Sequence, residues 1–435
     1  MSRRGRSESR SPQRAHSTQG IIGTAYSLRG LSSLWLNQQV LNARQHFPGL
    51  ADKVFLDAAC VSLAPKPATE AIEKFLELAL LCPLKSSTHH HIFMDEMRAA
   101  ARPAAARLIN ADPDEIALVE STTQGLSLTA DALPLERGDR VLLSDLEFLE
   151  VAVPWVQKRK DGIEIDVAPH RNGEVRVEDL ADRITSRTKV LAISAVQWTN
   201  GYRCDLAAIG KLCRERGIWL VVDAIQQLGV APIDVRQTPV DILACGGHKW
   251  LNSPFGCGFL YISRQALARM GPPLAGYLSI DDPPGGWGEY FQTPTTAPVK
   301  DYKFVSSARR YEGGGTANYP GAVGLAASLK LIQELGQENI TAHVLALTDR
   351  LLAGLDKLPV KVITPRAREN RAGIVTFSVG SAEENVRLMN RLQEKRILVS
   401  VRYTSQVGGV RVSCHFYNST EDVDRLLEAM RDLKT

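Results

Sequence analysis

The chain of 435 residues contains no apolar run approaching the roughly 20 residues that a membrane-spanning helix needs. It also has little excess charge: 52 Lys and Arg stand against 48 Asp and Glu, which gives a net charge of +4. Six arginines and one acid lie in the first thirty residues, so residues 31–435 are close to neutral. Because a nucleic-acid groove needs basic residues concentrated on a folded surface, this composition argues against binding to nucleic acid or to a membrane.

The seven cysteines are scattered, odd in number and without a Cys-x-x-Cys pair. The triplet His89–His91 lacks the i,i+4 spacing of a helical metal site, so we expect no metal. Cysteines inside apolar runs are typical of reduced thiols, and the first twenty residues lack the apolar segment of a secretory signal. The sequence therefore predicts a cytoplasmic protein. We interpret residues 1–27 as a disordered basic tail rather than as an organellar transit peptide.

Short β-branched runs alternate with helical patterns from about residue 53 onward. Several of these runs are apolar throughout, as expected for strands of a sheet that helices cover on both faces. The alternation predicts an α/β fold with a mostly parallel sheet. The predicted strands are 115–120, 140–144, 163–167, 190–195, 218–223, 242–245 and 258–262.

The pattern also divides the chain into parts. After the tail, residues 28–66 form an N-terminal segment packing with the small domain, residues 67–310 a large domain, and residues 311–435 a smaller α+β domain. A stretch rich in Pro, Gly and aromatic residues, 271–310, ends the large domain. We interpret this stretch as a lid that shapes substrate specificity, with packing inside the loop or in a subunit interface as the alternative.

Two neighbouring predicted strands end in groups that are costly to bury. Lys249 follows the strand 242–245 in the segment GGHKW, and Asp223 ends the apolar strand 218–223. A desolvated lysine is a nucleophile for carbonyl groups, although Lys249 alone also fits an exposed loop lysine. A buried acid needs a cation or hydrogen-bond donors. This order fits a pyridoxal phosphate site, in which a lysine forms a Schiff base and an acid pairs with the pyridinium nitrogen.

The segments around these two residues resemble the motifs of the class V, fold-type I pyridoxal phosphate enzymes. This family includes the cysteine desulfurases and the isopenicillin N epimerase-like proteins. The resemblance covers about residues 50–432 and implies a large domain with a mostly parallel seven-stranded sheet. The motifs are FLDAACVSLAP (55–65), ESTTQGLSL (120–128), SDLEFLEVAVPW (144–155), SAVQWTNGYRCDL (194–206), VVDAIQQLG (221–229), GGHKW (246–250), EGGGTAN (312–318) and GVRVSCHFYNSTEDVDRL (409–426).

The resemblance also implies which residues bind the cofactor, pyridoxal 5'-phosphate. Lys249 would form the Schiff base, Asp223 would pair with the pyridinium nitrogen, and Gln226 would donate to the phenolic oxygen. A threonine from a second subunit completes the phosphate site in the family, which implies a homodimer with shared active sites. Taken alone, His248 fits an ordinary loop histidine and Thr123 a helix N-cap. The full set is Thr122, Thr123, Phe148, Asp223, Gln226, His248, Lys249 and Thr316.

The predicted substrate residues are Arg411, Arg402, Trp198 and Asn200. Arg411 lies inside an apolar strand, where an unpaired guanidinium is costly. In the family this arginine grips the α-carboxylate of the substrate, and a bidentate fork suits a carboxylate. The resemblance therefore implies an amino acid or an amino-acid conjugate as substrate. A structural salt bridge is the alternative for Arg402.

The chain departs from the cysteine desulfurases at two points. They carry a cysteine shortly before the carboxylate-binding arginine, whereas no cysteine lies between Val399 and Arg411. They also have a histidine where this chain has Phe148, which can stack on a ring but cannot carry a proton. Persulfide-forming desulfuration is thus disfavoured, and the isopenicillin N epimerase-like branch is the better match.

We therefore expect an enzyme that labilises a Cα bond of its substrate, with an epimerase- or aminotransferase-like reaction. The alternatives are a C–S lyase acting on cysteine S-conjugates and a decarboxylation-coupled oxidative deaminase. A sensor or scaffold that binds the cofactor without catalysis is disfavoured, because both Lys249 and Asp223 are present.

Overall fold

The computed structural model describes residues 40–271, 274–313 and 315–432. The predicted tail, 1–27, lies outside these ranges. Among the helices within them, none combines the length and the apolar character that a membrane crossing requires.

Helices and strands alternate through most of the described chain. The strands are β1 (Val54–Phe55), β2 (Ile116–Val119), β3 (Arg140–Ser144), β4 (Glu164–Ala168), β5 (Thr188–Ser194), β6 (Trp219–Asp223), β7 (Ile242–Gly246), β8 (Gly258–Ile262), β9 (Lys361–Val362), β10 (Ile374–Ser378), β11 (Ile397–Leu398), β12 (Ser400–Thr404) and β13 (Val407–Ser413). The α-helices are α1 (Lys66–Leu81), α2 (Ser87–Ala99), α3 (Ala101–Ile109), α4 (Thr122–Ala132), α5 (Leu149–Lys158), α6 (Val177–Ala181), α7 (Leu206–Arg216), α8 (Arg264–Leu267), α9 (Gly286–Tyr290), α10 (Tyr319–Leu335), α11 (Gln337–Leu355), α12 (Ala382–Glu394) and α13 (Thr420–Asp432).

Seven strands form the central sheet in the order β2-β8-β7-β6-β5-β3-β4. Strands β3 to β7 run parallel, and β8 is antiparallel to both of its neighbours. The prediction of an α/β architecture with a mostly parallel seven-stranded sheet is confirmed. Each predicted strand of this sheet agrees with the observed one to within two residues at either end.

The apolar runs explain why the sheet is buried on both faces. Every residue of β6, β7 and β8 is buried, as expected for strands that helices cover from both sides. The edge strand β4 differs: its Glu164 is exposed, and its Asp166 is half-buried in a charge-assisted pair with Arg140. Charged side chains of this kind are usual on edge strands, where they oppose pairing with other chains.

The smaller domain contains a four-stranded antiparallel sheet in the order β12-β13-β10-β9. The N-terminal segment lies against this domain, since β1 pairs in parallel with β11. An ion pair between Arg44 and Asp422 (2.6 Å) and a hydrogen bond from Asn418 to the Phe55 carbonyl (2.9 Å) strengthen that contact. The exact boundaries 28–66, 67–310 and 311–435 stay predictions.

The parallel strands place their carboxyl ends at one edge of the central sheet. Strands β3, β5, β6 and β7 end there at Ser144, Ser194, Asp223 and Gly246. Ligands of open α/β sheets bind at this edge, because the loops that leave the strands line a crevice there. The segments that follow these four strands are therefore the place to look for a site.

Candidate active site

Strands β6 and β7 bring Asp223 and Lys249 to the same edge. Asp223 ends β6 opposite Ala244 of β7, and Lys249 lies three residues beyond the end of β7. Asp223 is buried, and one carboxylate oxygen accepts the N–H of Ile225 at 2.9 Å. Burial, and after it the negative charge of Glu150, raises the pKa of Asp223 well above its ordinary value, while Lys249 lowers it. The carboxylate thus needs a cationic partner to stay ionised.

Lys249 is held in a mixed electrostatic environment. Burial lowers the pKa of its ammonium group, the negative charges of Glu150 and Asp223 raise it, and the positive charge of Arg411 lowers it further. Its Nζ lies 5.7 Å from the centre of the Phe148 ring. Because the net direction is downward, the neutral and nucleophilic amine is easier to form than in an exposed lysine.

His248 is neutral at pH 7. Burial first, and then the positive charge of Lys249, lowers its pKa to about 4. Its ring stacks on Phe255 with the two ring centres 5.0 Å apart. A neutral imidazole keeps one donor nitrogen, so His248 can still give a hydrogen bond to an anion.

The glycines of the GGHKW segment allow a close approach of β7 to helix α4. The hydroxyl of Thr122 accepts the N–H of Gly246 at 2.8 Å. A Cβ atom on Gly246 would lie 3.1 Å from the Thr122 Oγ1 and 3.4 Å from the His248 Nδ1. A side chain at this glycine would therefore crowd the space between the helix and His248. The hydroxyl of Thr122 is the acceptor in this bond and keeps its own hydrogen, so both its hydroxyl and its backbone N–H can still donate.

The N-terminus of α4 opens toward this space. Ser121 caps the helix by accepting the N–H of Gln124 at 3.1 Å. The earlier N–H groups, those of Thr122 and Thr123, have no acceptor inside the helix. Such a helix end is a favourable place for a phosphate, because its free N–H groups and its dipole both attract an anion.

These residues fit pyridoxal phosphate. The amine of Lys249 can bond to the aldehyde carbon, and the buried Asp223 can pair with the ring nitrogen. The ring of Phe148 offers a flat apolar face to the cofactor ring. The N-terminus of α4 supplies the anion site, and the glycine at 246 keeps the space beside it clear.

Gln226 joins two parts of the chain. Its Nε2 donates to the carbonyl of Ala59 at 3.0 Å, and its Oε1 accepts the indole N–H of Trp250 at 2.8 Å. The amide retains a second hydrogen, which is the one available for the predicted bond to the phenolic oxygen.

Arg411 is buried at the other side of the site, where it projects from β13. Its Nη1 donates to the Trp198 carbonyl at 2.9 Å, and its Nη2 pairs with Asp57 at 3.2 Å. Asp57 also accepts the Ser400 hydroxyl at 2.9 Å. Within the described residues, the Nε of Arg411 has no acceptor. A buried N–H without a partner is costly, and the two Nη groups are engaged by protein acceptors, so the predicted bond from Arg411 to a substrate carboxylate stays a prediction.

Arg402 and Trp198 lie close to Arg411. The Nη1 of Arg402 donates to the Val401 carbonyl at 2.8 Å, and its Nη2 lies 3.6 Å from the sulfur of Cys60. No carboxylate in the described ranges forms an ion pair with Arg402, so the alternative of a structural salt bridge lacks a partner there. The ring of Trp198 packs edge-on against Phe148 at 5.0 Å.

Two predicted residues are not part of this cluster. Asn200 is fully buried, and its amide donates to the Gly173 carbonyl at 2.6 Å and accepts the Tyr202 N–H at 3.0 Å. These bonds use the amide to hold two loops together, and the predicted contact between Asn200 and the substrate stays a prediction. Thr316 is exposed in the loop that precedes α10, so its predicted role depends on a second subunit.

The structure adds three residues that we did not single out from the sequence: Asp57, Cys60 and Glu150. Asp57 and Cys60 come from the motif FLDAACVSLAP, and both lie beside arginines of the site. Glu150 lies in the first turn of α5 and accepts the Thr123 hydroxyl at 3.0 Å. Its position three residues after Glu147 could have drawn attention to it, but an acid in the first turn is common in any helix.

Glu147 supports the loop that carries Phe148. It is buried and accepts three hydrogen bonds, two from the N–H and hydroxyl of Ser194 (2.9 and 2.5 Å) and one from the amide of Gln197 (2.9 Å). Burial outweighs these bonds and raises the pKa of Glu147 to about 7. Glu147 therefore titrates near neutral pH in the folded chain.

This carboxyl makes folding stability depend on pH. The folded chain holds its proton up to about pH 7, whereas the unfolded chain loses it near the ordinary pKa of 4.5. Ionised Glu147 destabilises the folded chain. This cost is absent below about pH 4.5, grows as the pH rises, and reaches about 3 kcal/mol above about pH 7. We expect the free energy of unfolding of the wild type, minus that of Glu147→Gln, to fall by about 3 kcal/mol between about pH 4 and about pH 8.

Urea unfolding at several pH values measures this difference. The matched control is Glu215→Gln, which changes an exposed carboxyl on α7. Its difference from the wild type should stay constant over the same range. A constant difference for Glu147→Gln as well would contradict the assignment of this titration to Glu147.

A mostly parallel sheet of this topology, with a lysine beyond one strand and a buried acid at the end of its neighbour, defines a fold-type I pyridoxal phosphate enzyme. The chain belongs to the class V aminotransferase family: residues 54–426 match the family model described as Aminotransferase class-V. The predicted family, enzymatic character and cofactor are thereby confirmed.

Named relatives in this family differ in reaction. A probable cysteine desulfurase of Pyrococcus abyssi is 29% identical over 405 residues, which cover 90% of this chain and 97% of the relative. The isopenicillin N epimerase of Streptomyces clavuligerus is 31% identical over 342 residues, which cover 76% of this chain and 83% of the relative.

Solved structures show the same fold and the cofactor. A complex of the cystine C–S lyase C-DES with its product cysteine persulfide has a TM-score of 0.78 at 28% identity and covers 89% of this chain and 99% of that one. A mutant of C-DES with glycine covalently linked to the cofactor has a TM-score of 0.79 at 27% identity, with the same coverage.

Proposed function

We propose that this enzyme labilises a Cα bond of an amino acid or an amino-acid conjugate, in an epimerase- or aminotransferase-like reaction. The observation that carries the proposal is that the buried Lys249 lies close enough to the buried Asp223 and the buried Arg411 for both to act on its charge. The amine of Lys249 can accept a proton from a carbon atom of the substrate, and the planar guanidinium of Arg411 suits a carboxylate attached to that carbon.

Each residue of the cluster has a separate task in this proposal. Pyridoxal phosphate, when bound, withdraws electrons from the Cα of an attached amino acid and so weakens the bonds to it. Asp223 keeps a positive charge at the ring nitrogen, and Phe148 packs against the ring. Arg411 fixes the α-carboxylate and thereby orients the Cα. Lys249 then accepts or returns the Cα proton at its Nζ.

Persulfide formation at the position used by desulfurases is disfavoured, because the segment before Arg411, which contains the hairpin between β12 and β13, has no cysteine. Strands β12 and β13 form a hairpin whose turn residues, Ser405 and Gln406, both have positive φ angles of 45° and 66°. The Ser405 hydroxyl donates to the Asp145 carbonyl at 2.7 Å, which fixes this turn to the large domain. Cys414 is fully buried, and burial raises the pKa of its thiol to about 12, so it is a poor nucleophile.

A C–S lyase acting on cysteine S-conjugates is the second candidate. Arg402 favours it, because a guanidinium without a carboxylate partner among the described residues lies next to the one that would hold the α-carboxylate. A conjugate with a second acidic group would satisfy both arginines. The structural similarity to the cystine C–S lyase agrees with this possibility.

We further propose a homodimer in which Thr316 reaches the phosphate site of the other subunit. Exposed apolar side chains support this proposal: Leu80 and Leu81 at the end of α1 are 83% and 63% exposed, and Phe255, which stacks on His248, is 68% exposed. Apolar surface of this kind is typical of subunit contacts.

We also propose a cytoplasmic location. The seven cysteines are all unpaired, which agrees with it.

The reaction type can be tested with one panel of substrates. The purified enzyme is incubated with D- and L-amino acids and with cysteine S-conjugates, and racemisation, keto acid and released thiol are measured together. We expect racemisation or keto acid formation without thiol release. Thiol release with pyruvate would favour the C–S lyase. Alanine release with a persulfide on Cys60 would contradict both candidates.

A further inference from the structure

Arg98 is a buried charge that none of the roles above uses. It lies in the last turn of α2 and is 7% exposed. Its Nη1 forms an ion pair with Glu312 at 2.9 Å, and the carbon atom of its guanidinium lies 5.7 Å from the centre of the Tyr319 ring. Arg98 thus contacts both ends of the segment 312–319, which carries Thr316.

The first end of this segment is held by several donors. Glu312 is buried, and its carboxylate pairs with Arg98 and, at 2.8 Å, with Arg102 of α3. It also accepts the N–H of Leu118 in β2 at 3.0 Å. Because Arg102 also pairs with Glu312, the loss of Arg98 alone does not leave this buried carboxylate without a cation.

The second end is fixed to two other elements. Tyr319 begins α10, and its hydroxyl donates to Asp95 of α2. Asn318 precedes Tyr319, and its Nδ2 donates to the Gly256 carbonyl at 2.9 Å. The second end is therefore attached both to α2 and to the loop that leads into β8.

The residues between these ends are rich in glycine, as the motif EGGGTAN shows. Glycine loses more conformational freedom on ordering than any other residue. Thr316 itself is exposed, and it lies four positions from Glu312 and three from Tyr319. The position of Thr316 therefore depends on how the two ends of the segment are held.

We propose that Arg98 is a positioning residue for Thr316 and that it acts on the phosphate site of the other subunit. The inference rests on the proposed homodimer, in which Thr316 completes that site. One planar guanidinium carries both the ion pair and the contact with the tyrosine ring, so Arg98 fixes the two ends relative to each other. A donor that is already held in place loses less conformational freedom when it binds a phosphate. Arg98 thus raises the affinity for the phosphate without touching it.

The first test compares Arg98→Gln with the wild type. The full chain is freed of cofactor with hydroxylamine and dialysis, and pyridoxal phosphate is titrated in while the visible absorbance of the lysine-bound cofactor is measured. We expect a Kd about ten times that of the wild type, as for a weakened hydrogen bond to a charged group. Arg98→Lys keeps the charge but not the planar group, so part of the affinity should return. Arg98→Lys also carries the comparison if Arg98→Gln does not fold.

Two controls isolate the phosphate. Arg350→Gln removes an arginine from an exposed ion pair, the one with Asp424 at 2.7 Å, and should bind the cofactor like the wild type. Pyridoxal, which lacks the phosphate but has the same aldehyde and ring, should bind the wild type and Arg98→Gln with similar affinity.

Mixed dimers identify the subunit on which Arg98 acts. Two chains with different affinity tags are coexpressed, and the mixed dimer is purified over both tags. In the first dimer one subunit carries both Arg98→Gln and Lys249→Ala, so the remaining Lys249 receives Thr316 from the altered subunit. In the second dimer the two substitutions lie in different subunits, so the remaining Lys249 receives Thr316 from an unaltered segment. We expect the first dimer to have the weakened Kd of Arg98→Gln and the second to have the Kd of the wild type.

A wild-type Kd for the Arg98→Gln homodimer would overturn the proposal, and so would an equal change for pyridoxal. A weakened Kd in the second mixed dimer would also overturn it, because Arg98 would then act within its own subunit. Failure of the proposed homodimer is distinguishable from these outcomes. In that case the wild type would elute as a monomer in size-exclusion chromatography, which overturns both proposals. Failure of the Arg98 inference alone leaves the dimer and the borohydride label on Lys249 intact.

Discussion

Replacement of Lys249 by alanine is expected to remove the covalent attachment of the cofactor and to lower turnover by about 10²- to 10⁴-fold or more. The expectation follows from the position of Lys249, whose lowered pKa makes its amine available and whose neighbours include the buried acid of the cofactor site. Borohydride reduction followed by peptide mass spectrometry measures the attachment, and the visible absorbance of the holoenzyme reports on it independently.

A surface lysine provides the matched control for this variant. Lys211→Ala changes an exposed side chain on α7, where Lys211 pairs with Glu215 at 3.9 Å. It should keep the borohydride label on Lys249, the absorbance and the turnover of the wild type. A cofactor that borohydride still fixes to the chain in Lys249→Ala would show that another residue forms the bond.

Replacement of Arg411 by alanine should lower kcat/KM for amino acids by about 10²- to 10³-fold, the range expected when one partner of a buried charge pair is removed. The guanidinium is buried and pairs with Asp57 at 3.2 Å, so its removal leaves a buried charge without its partner. The corresponding primary amine is a substrate analogue without the carboxylate. The same substitution should lower kcat/KM for this amine only slightly. Steady-state kinetics with both compounds measures the difference.

Arg411→Lys separates charge from geometry. Lysine keeps the positive charge but not the planar fork, so we expect only part of the activity to return. If Arg411→Ala and Arg411→Lys both retain the cofactor absorbance, the cofactor end of the site, with Lys249 and Asp223, is intact. Asp57 loses its guanidinium partner in both variants. An equal loss for the amino acid and the amine would contradict the carboxylate role.

The sequence predicted the sheet and the centre of the site because their signals are local. Strands such as β6 and β7 are continuous apolar runs, and the parallel topology brings their polar ends, Asp223 and the Lys249 segment, to one edge. The resemblance to the class V enzymes extended this local pattern to residues farther along the chain, among them Arg411.

Contacts between distant segments could not be predicted in the same way. Asn200 follows a strand end, as site residues do, yet its amide bonds to Gly173, which lies 27 positions earlier in another loop. The contact between Thr123 and Glu150 also spans 27 positions. Neither pairing has a periodicity or spacing of its own, because each depends on how two distant segments meet after the sheet has formed.

The bonds of Arg411 have a consequence for how this enzyme can be divided. The residue itself belongs to the smaller domain, Trp198 to the large one and Asp57 to the N-terminal segment, and Asp57 lies 354 positions away. The surroundings of Arg411 are thus assembled from three regions that are far apart in the sequence. A fragment that ends before β13 can keep Lys249 and Asp223, but it loses the residue that is proposed to bind the substrate carboxylate. The proposed selectivity for amino acids over simple amines is then a property of the whole chain.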